Sequence, residues 1–128
     1  MEIKDFCSGM QHIGIPTNNI EKTEAFFHDL GFITAYSTVK VGEKVSFLRL
    51  NDLTIETWES GQATMRYGAI DHIAIDVKDI EAVYKLVKAK GYKTIEGRIC
   101  SLPYWSNGVR FFTIEGPDKE KIEFSEYL

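Results

Sequence analysis

Polar and hydrophobic side chains alternate in two stretches of the chain that resemble each other. In residues 10–17, isoleucines alternate with His12 and Gly14. Sixty residues later, residues 70–77 alternate in the same way around His72. Alternation with a period of two predicts a β-strand. Its recurrence at a fixed offset predicts a duplicated module, and two copies are too few for a solenoid.

An amphipathic helix is predicted after each of these strands. Apolar residues recur at helical spacing over residues 20–30, and the second copy places a helix at about 80–90. Gly31 and Gly91 follow at the position where glycine commonly ends a helix. Side chains suited to capping precede both helices, namely Asn18 or Asn19 and Asp79. Each module therefore begins with a strand and a helix.

Three shorter strands are predicted to complete each module, separated by turn residues. They fall at about 33–39, 44–50 and 53–59 in the first module, and at about 92–97, 108–114 and 121–127 in the second, with a loop at 98–107. Residues 1–9 form a lead-in and residues 60–69 join the modules. The prediction is an α+β fold: one domain, 1–128, of two βαβββ modules at about 10–59 and 70–128. We expect the modules to pair into a curved mixed sheet that encloses a cavity.

Composition restricts the classes of function. The chain has 128 residues, of which 44% are hydrophobic and 27% charged, with a net charge of −4. These values are typical of a soluble globular protein. The mixed charges form no basic stripe for nucleic acid, and no apolar run reaches the roughly 18 residues of a membrane span. With no signal peptide visible, we expect a cytoplasmic protein whose partner is a small molecule.

The polar face of the predicted sheets carries the same two residue types in both modules. Alternation places His12 and Glu56 opposite the helix in the first module, and His72 and Glu123 in the second. The simplest interpretation is a solvated sheet face. The recurrence of histidine on the first strand and glutamate on the last favours a shared metal site instead. Two imidazoles and two carboxylates suit one divalent Ni, Zn, Co, Mn or Fe ion, and two coordination positions stay open for a substrate with adjacent oxygens.

These motifs resemble the vicinal oxygen chelate superfamily, the group of glyoxalases, bleomycin-resistance proteins and extradiol dioxygenases. The resemblance covers residues 10–128. It is carried by His12-Ile13-Gly14-Ile15, Leu30-Gly31-Phe32, Asp71-His72-Ile73-Ala74, Phe111-Phe112-Thr113-Ile114-Glu115-Gly116-Pro117-Asp118 and Lys121-Ile122-Glu123-Phe124.

Within that group, the four-residue set with glutamate at position 56 is most similar to glyoxalase I. The resemblance implies a metal-dependent lyase or isomerase that acts through an enediolate on a small oxo compound or its thiol adduct. It also implies Glu123 as the catalytic base, with Glu56 as its partner. Pro16 and Ser60 stand where glutathione-using relatives generally carry arginine and asparagine, so the resemblance does not extend to glutathione as the thiol.

Several aromatic residues and one arginine are predicted to line the substrate cavity. Alternation places them on the cavity face, except for an aromatic pair in the long loop at 98–107, where a lid would lie. They are Phe47, Arg49, Trp58 and Phe111 on strands, and Tyr104 and Trp105 in the loop. The plain alternatives are core packing for the aromatics and a surface position for the arginine.

Two other classes of function stay open. An Fe(II)-dependent dioxygenase would use both histidines and Glu123 as a facial triad, leaving Glu56 spare, and a CoA-thioester epimerase belongs to the same superfamily. A non-catalytic protein that sequesters a drug or ligand is the third reading, although such relatives generally lack the metal ligands. By the same resemblance we expect a homodimer. The sequence does not decide whether one chain or two build the site.

Overall fold

Each predicted module forms a four-stranded sheet with one helix on it. The structure is a computed structural model that describes residues 1–8, 10–68 and 70–128. It divides into two units, Met1–Ala63 and Thr64–Leu128. The predicted lead-in and join fall partly outside the described residues, at positions 9 and 69. The prediction of an α+β fold of two βαβββ modules is confirmed.

The first unit opens with a short 3-10 helix, Ile3–Phe6, and then follows the predicted order of elements. These are β1 Ile13–Thr17, α1 Ile20–Asp29, β2 Ile33–Lys40, β3 Glu43–Leu50 and β4 Leu53–Glu59. The strands lie in the order β1-β4-β3-β2, with β1 parallel to β4 and the other pairs antiparallel.

The second unit repeats this plan. Its elements are β5 Ile73–Asp76, α2 Ile80–Ala89, β6 Cys100–Leu102, β7 Val109–Glu115 and β8 Lys121–Tyr127. The strands lie in the equivalent order, β5-β8-β7-β6, with β5 parallel to β8. Neither α-helix, among the residues described, is long and apolar enough to cross a membrane.

The strand predicted at 92–97 is wrong. That segment makes a single bridge, between Thr94 and Ile114, and the second strand of the module is instead the short β6, inside the predicted loop. The carboxylate of Glu96 accepts the N–H of Thr113 at 2.7 Å, in place of a backbone carbonyl. Gly97 then turns the chain with a φ of 74°, which glycine adopts without steric cost.

Side chains fix both ends of the first helix. Of the two predicted caps, Asn19 is the one used, and it accepts the N–H of Lys22. At the other end Gly31 adopts a φ of 101°, and Phe32 donates its N–H to the carbonyl of Phe27 at 3.0 Å. The rings of Phe27 and Phe32 also touch, which is the hydrophobic contact that accompanies a Schellman ending. Hydrogen bonds at Asn19 and at Phe32 thus define the turns that join β1 to α1 and α1 to β2.

Each sheet has one face against its helix and one face away from it. Ile55 is fully buried under the first helix, and Ile122 and Phe124 are buried under the second. The residues that alternate with them, Glu56 and Glu123, therefore lie on the opposite face. Within each unit, the sheet therefore has the predicted apolar face against the helix and the predicted polar face on the other side.

Candidate metal and substrate site

The first unit brings His12 and Glu56 together. His12 lies one residue before β1, and the parallel pairing of β1 with β4 places Gly14 beside Glu56. Nε2 of His12 lies 3.9 Å from Oε1 of Glu56, and both side chains are about one-third exposed. The other ring nitrogen, Nδ1, lies 3.0 Å from Oε1 of Gln11. An Nδ1–H that donates to this oxygen leaves the lone pair on Nε2, facing the carboxylate.

Two aromatic residues flank this pair, both of them predicted. Phe47 packs edge-on against the imidazole of His12, with 5.8 Å between ring centroids. Trp58 lies over Gly14, where an added Cβ would come within 3.3 Å of the indole ring. The Trp58 ring thus occupies part of the space that a side chain at position 14 would fill. Glycine is thus the residue that lets Trp58 and Glu56 lie side by side.

The second unit forms the equivalent pair from His72 and Glu123. Nε2 of His72 lies 3.9 Å from Oε1 of Glu123, the same distance as in the first unit. The parallel pairing of β5 with β8 places Ala74 beside Glu123, as Gly14 is placed beside Glu56. Here Nδ1 of His72 lies 2.9 Å from a carboxylate oxygen of Asp71. The two modules therefore repeat one arrangement of histidine and glutamate.

The environment of Glu123 favours its protonated form. Burial raises the pKa of the Glu123 carboxyl, His72 acts in the opposite direction, and the neighbouring Glu96 carboxylate raises the pKa further. Glu96 is held there by its bond to Thr113, which pairs with Glu123 across β7 and β8. A carboxylate whose conjugate acid has a raised pKa is a stronger proton acceptor than an ordinary carboxylate.

The donor atoms of each pair lie close enough to reach one divalent cation. Bonds of about 2.1 Å to nitrogen and oxygen at a tetrahedral angle place two ligands about 3.4 Å apart, and the limit for two ligands of one ion is about 4.2 Å. The observed 3.9 Å lies within that limit. In the described part of the chain, no three or more His, Cys, Asp or Glu side chains form a cluster that could hold a metal. Each unit brings together two of the four predicted ligands. That all four bind one ion stays a prediction.

A cavity of about 410 Å³ lies beside the pair in the second unit. The predicted substrate-binding residues Tyr104, Trp105 and Phe111 line it together with His72 and Glu123. The remaining walls were not predicted to bind substrate, and they are Ala74, Asp76, Leu102, Val109, Ser125 and Tyr127. Trp105 and Tyr127 meet edge to face at 5.7 Å between centroids. The alternation of β5 and β8 carried the signal for Asp76, Ser125 and Tyr127, since they share the faces of His72 and Glu123.

The first unit has a smaller cavity beside Glu56. It measures about 290 Å³, and it is lined by Trp58 and Glu56 with Lys40, Val41, Glu43 and Val45. Arg49, predicted to bind substrate, is not part of this wall. Its Nε donates instead to Oγ1 of Thr54 at 3.3 Å. The cation that lies at this cavity is Lys40, at the end of β2.

Two four-stranded mixed sheets, each with a helix on one face and a histidine–glutamate pair on the other, define a protein of two repeated βαβββ modules. The chain belongs to the Glyoxalase/Bleomycin resistance protein/Dioxygenase superfamily, whose sequence model matches residues 9–124. The family expected from the motifs is thus confirmed.

Similar proteins cover either part or nearly all of the chain. A segment of 57 residues is 46% identical to the Uncharacterized protein YwbC of Bacillus subtilis (strain 168), and it spans 44% of this chain and 43% of that protein. The crystal structure of the glyoxalase family protein from Enterococcus faecalis is 22% identical, with a TM-score of 0.79 over 94% of this chain and 99% of that one. The fosfomycin resistance protein FosX from Listeria monocytogenes, complexed with Mn(II) and sulfate, is 20% identical, with a TM-score of 0.75 over 95% and 94%. At these identities, the two structures establish the fold.

Proposed function

We propose that this protein is a divalent-metal-dependent lyase or isomerase of the glyoxalase I type, acting on a small oxo compound or its thiol adduct. The observation that carries the proposal is the repeated pair, in which a histidine Nε2 faces a glutamate oxygen at 3.9 Å in both units. Duplication places the same residue types in both modules, but a solvated sheet face would not require a histidine and a glutamate to face each other at the same distance in each. The FosX structure, with Mn(II), supports a metal in this fold.

In the proposed site, His12, Glu56, His72 and Glu123 hold one ion. The pairs come from one chain or from two copies of it. When bound, the ion supplies Lewis-acid stabilisation of negative charge on two adjacent substrate oxygens. Glu123 is the proposed base that takes a proton from the carbon next to those oxygens, as the resemblance to glyoxalase I implies. Glu56 is its proposed partner on the metal.

The residues that line the cavity indicate the polarity of the proposed substrate. Tyr104, Trp105 and Phe111 give the second unit an apolar wall next to His72 and Glu123. No lysine or arginine is found among the described residues that line that cavity. A substrate whose bulk is apolar fits this wall better than an anionic thiol such as glutathione, in agreement with the departures at positions 16 and 60.

Metal content tests the proposal most directly. Purified protein is stripped by chelation, reloaded with Ni, Co, Zn, Mn or Fe, and measured by elemental mass spectrometry beside Glu56→Gln and the control Glu21→Gln, an exposed glutamate of α1. We expect near one ion per chain in the wild type and the control, and a weakened site in Glu56→Gln. The preferred metal form is then assayed with methylglyoxal and a panel of thiols, with and without dioxygen. Turnover only with dioxygen would favour the dioxygenase alternative.

A ligand-sequestering role is the second candidate, and the aromatic wall of the 410 Å³ cavity is the observation that favours it. Absence of specific uptake of every ion, together with quenching of Trp105 fluorescence by an aromatic compound, would support that role. The chain has two tryptophans, so Trp58→Phe leaves Trp105 as the reporter. We also propose a homodimer, and sedimentation at the monomer mass of 14.6 kDa would contradict it.

A further inference from the structure

Asp71 holds the ring of His72 from the side opposite Glu123. A carboxylate only accepts hydrogen bonds, so the 2.9 Å contact with Nδ1 of His72 requires that nitrogen to carry the proton. In the neutral ring the lone pair is then on Nε2, the nitrogen that faces Glu123. The contact therefore fixes both the tautomer and the direction of the ring.

Asp71 is itself held in place, although its side chain is half exposed. Nζ of Lys121 lies 3.3 Å from each of its two oxygens. Lys121 in turn lies 4.1 Å from the centroid of the Tyr67 ring, a cation–π contact, and the hydroxyl of Tyr67 donates to Glu115. This row of contacts restrains an exposed carboxylate that would otherwise sample several rotamers.

The first unit lacks the same support. Gln11 stands in the place of Asp71, and its side chain is neutral. An amide also carries both a donor and an acceptor, so a rotated Gln11 would offer His12 a hydrogen-bond donor instead. By the offset that aligns Glu56 with Glu123, the counterpart of Lys121 is Thr54, which accepts from Arg49. The fold therefore does not require the charged support, because the first module is built without it.

We propose that Asp71, anchored by Lys121, is a positioning residue that locks the Nε2 lone pair of His72 toward the metal and makes His72 the stronger of the two imidazole ligands. The proposal rests on the metal-dependent function proposed above. A carboxylate behind a ligating histidine orients the ring and raises its donor strength, and loss of such a partner commonly weakens metal binding about 10- to 100-fold.

The first test uses the metal-free protein. Nitrogen-15 NMR of the imidazoles distinguishes the two neutral tautomers, and it is recorded about two pH units above the ordinary imidazole pKa of about 6.5. The chain has three histidines, so single His→Gln variants assign every signal. We expect His72 to hold the Nδ1–H tautomer in the wild type and to become a mixture in Asp71→Asn, while His12 stays unchanged as the internal control. An unchanged tautomer ratio at His72 would overturn the positioning role.

The second test measures affinity for Zn or Ni by competition with a chromophoric chelator. We expect Asp71→Asn to weaken binding about 10- to 100-fold and Lys121→Met to weaken it less. The exposed control Lys93→Met should have no effect, and equal affinity of Asp71→Asn and wild type would overturn the proposal. Should the wild type bind no metal, the metal-dependent function fails, while the NMR result still decides whether Asp71 positions His72.

Discussion

Glu59 and Glu126 perform the same task in the two units. Oε2 of Glu59 accepts the N–H of Ile20, the first residue of α1, and Oε1 of Glu126 accepts the N–H of Ile80, the first residue of α2, each at 2.8 Å. Glu59 is the last residue of β4 and Glu126 is the second-to-last residue of β8, and each lies three residues after a candidate ligand, Glu56 or Glu123. The duplication thus extends from the site to the attachment of each helix.

Replacing either glutamate by alanine should destabilise the protein. The change leaves a helix N–H without its acceptor and removes a negative charge from the positive end of the helix dipole, so we expect a loss of about 1 kcal/mol in the free energy of unfolding. Urea denaturation of Glu59→Ala and Glu126→Ala measures it. Glu43→Ala, at an exposed position of β3, is the control. Equal stability of the capping variants and the control would contradict the assignment.

Gly14→Ala should test the packing of Trp58. Alanine is usually better than glycine within a strand by about 0.5–1 kcal/mol. Here the new methyl group would meet the indole at 3.3 Å, so we expect a net loss of about 1 kcal/mol instead. In a Trp58→Leu background the same substitution should become stabilising. Denaturation of the four proteins of this double-mutant cycle gives the coupling, and additive effects would show that Trp58 does not restrict the position.

Stability should depend on pH through Glu120. Its Oε1 accepts the N–H of Asp118 at 2.7 Å, while Oε2 is buried with no hydrogen-bond partner among the described residues. Burial raises the pKa of Glu120, the backbone hydrogen bonds at Glu120 and Asp118 lower it, and the nearby Asp118 charge raises it. Because the folded pKa lies above the unfolded value, the folded state binds more protons over the interval between them. This contribution to stability is complete below the unfolded pKa and is lost as pH rises through the folded pKa.

Glu120→Gln should remove that dependence. We expect the variant to gain about 1 kcal/mol over the wild type at pH 7, because an ionised carboxylate with an unpaired oxygen is no longer buried. The difference should shrink as pH falls below the folded pKa. Denaturation at pH 4 and pH 7 measures it, with Glu43→Gln as the exposed control. A gain that is the same at both pH values would show that burial of the charge is not its cause.

Glu123→Gln should separate metal binding from catalysis. The amide oxygen still reaches a metal, but it cannot take up a proton from carbon. We therefore expect a metal-loaded variant with turnover reduced about 10²- to 10⁴-fold. Metal content and turnover are measured on the same preparation, on the substrate found for the wild type. Unchanged turnover would remove Glu123 from the role of base.

Much of the fold could be predicted because the sequence contains two copies of one module. Alternation around His12 and His72 located the first strands, and Gly31 and Gly91 located the helix ends, since these signals act within a few residues. The strand predicted at 92–97 did not form, and there the Glu96 side chain, not a backbone carbonyl, accepts the N–H of Thr113. A side chain that substitutes for a strand leaves no periodic signal.

The site could be predicted in its residue types and in its pairs, and less so in its surroundings. Alternation places His12 with Glu56 and His72 with Glu123, because strand register is a local property. The support behind each histidine was missed, although Gln11 and Asp71 are sequence neighbours of the ligands. Nothing in the periodicity distinguishes a supporting acceptor from an exposed polar residue. Only the distances to the imidazoles, 3.0 and 2.9 Å, identify that role.

The burial of the residues on either side of Glu56 and Glu123 bears on how this protein could change. Ile55 and Thr57 are fully buried beside Glu56, and Ile122 and Phe124 are buried beside Glu123. These neighbours fix the backbone, while the two glutamates themselves contribute little to the core. A single codon change at position 56 or 123 can therefore exchange one donor atom for another with little cost to folding. Natural selection, or a protein engineer, can revise the chemistry of such a face one residue at a time while the scaffold stays the same.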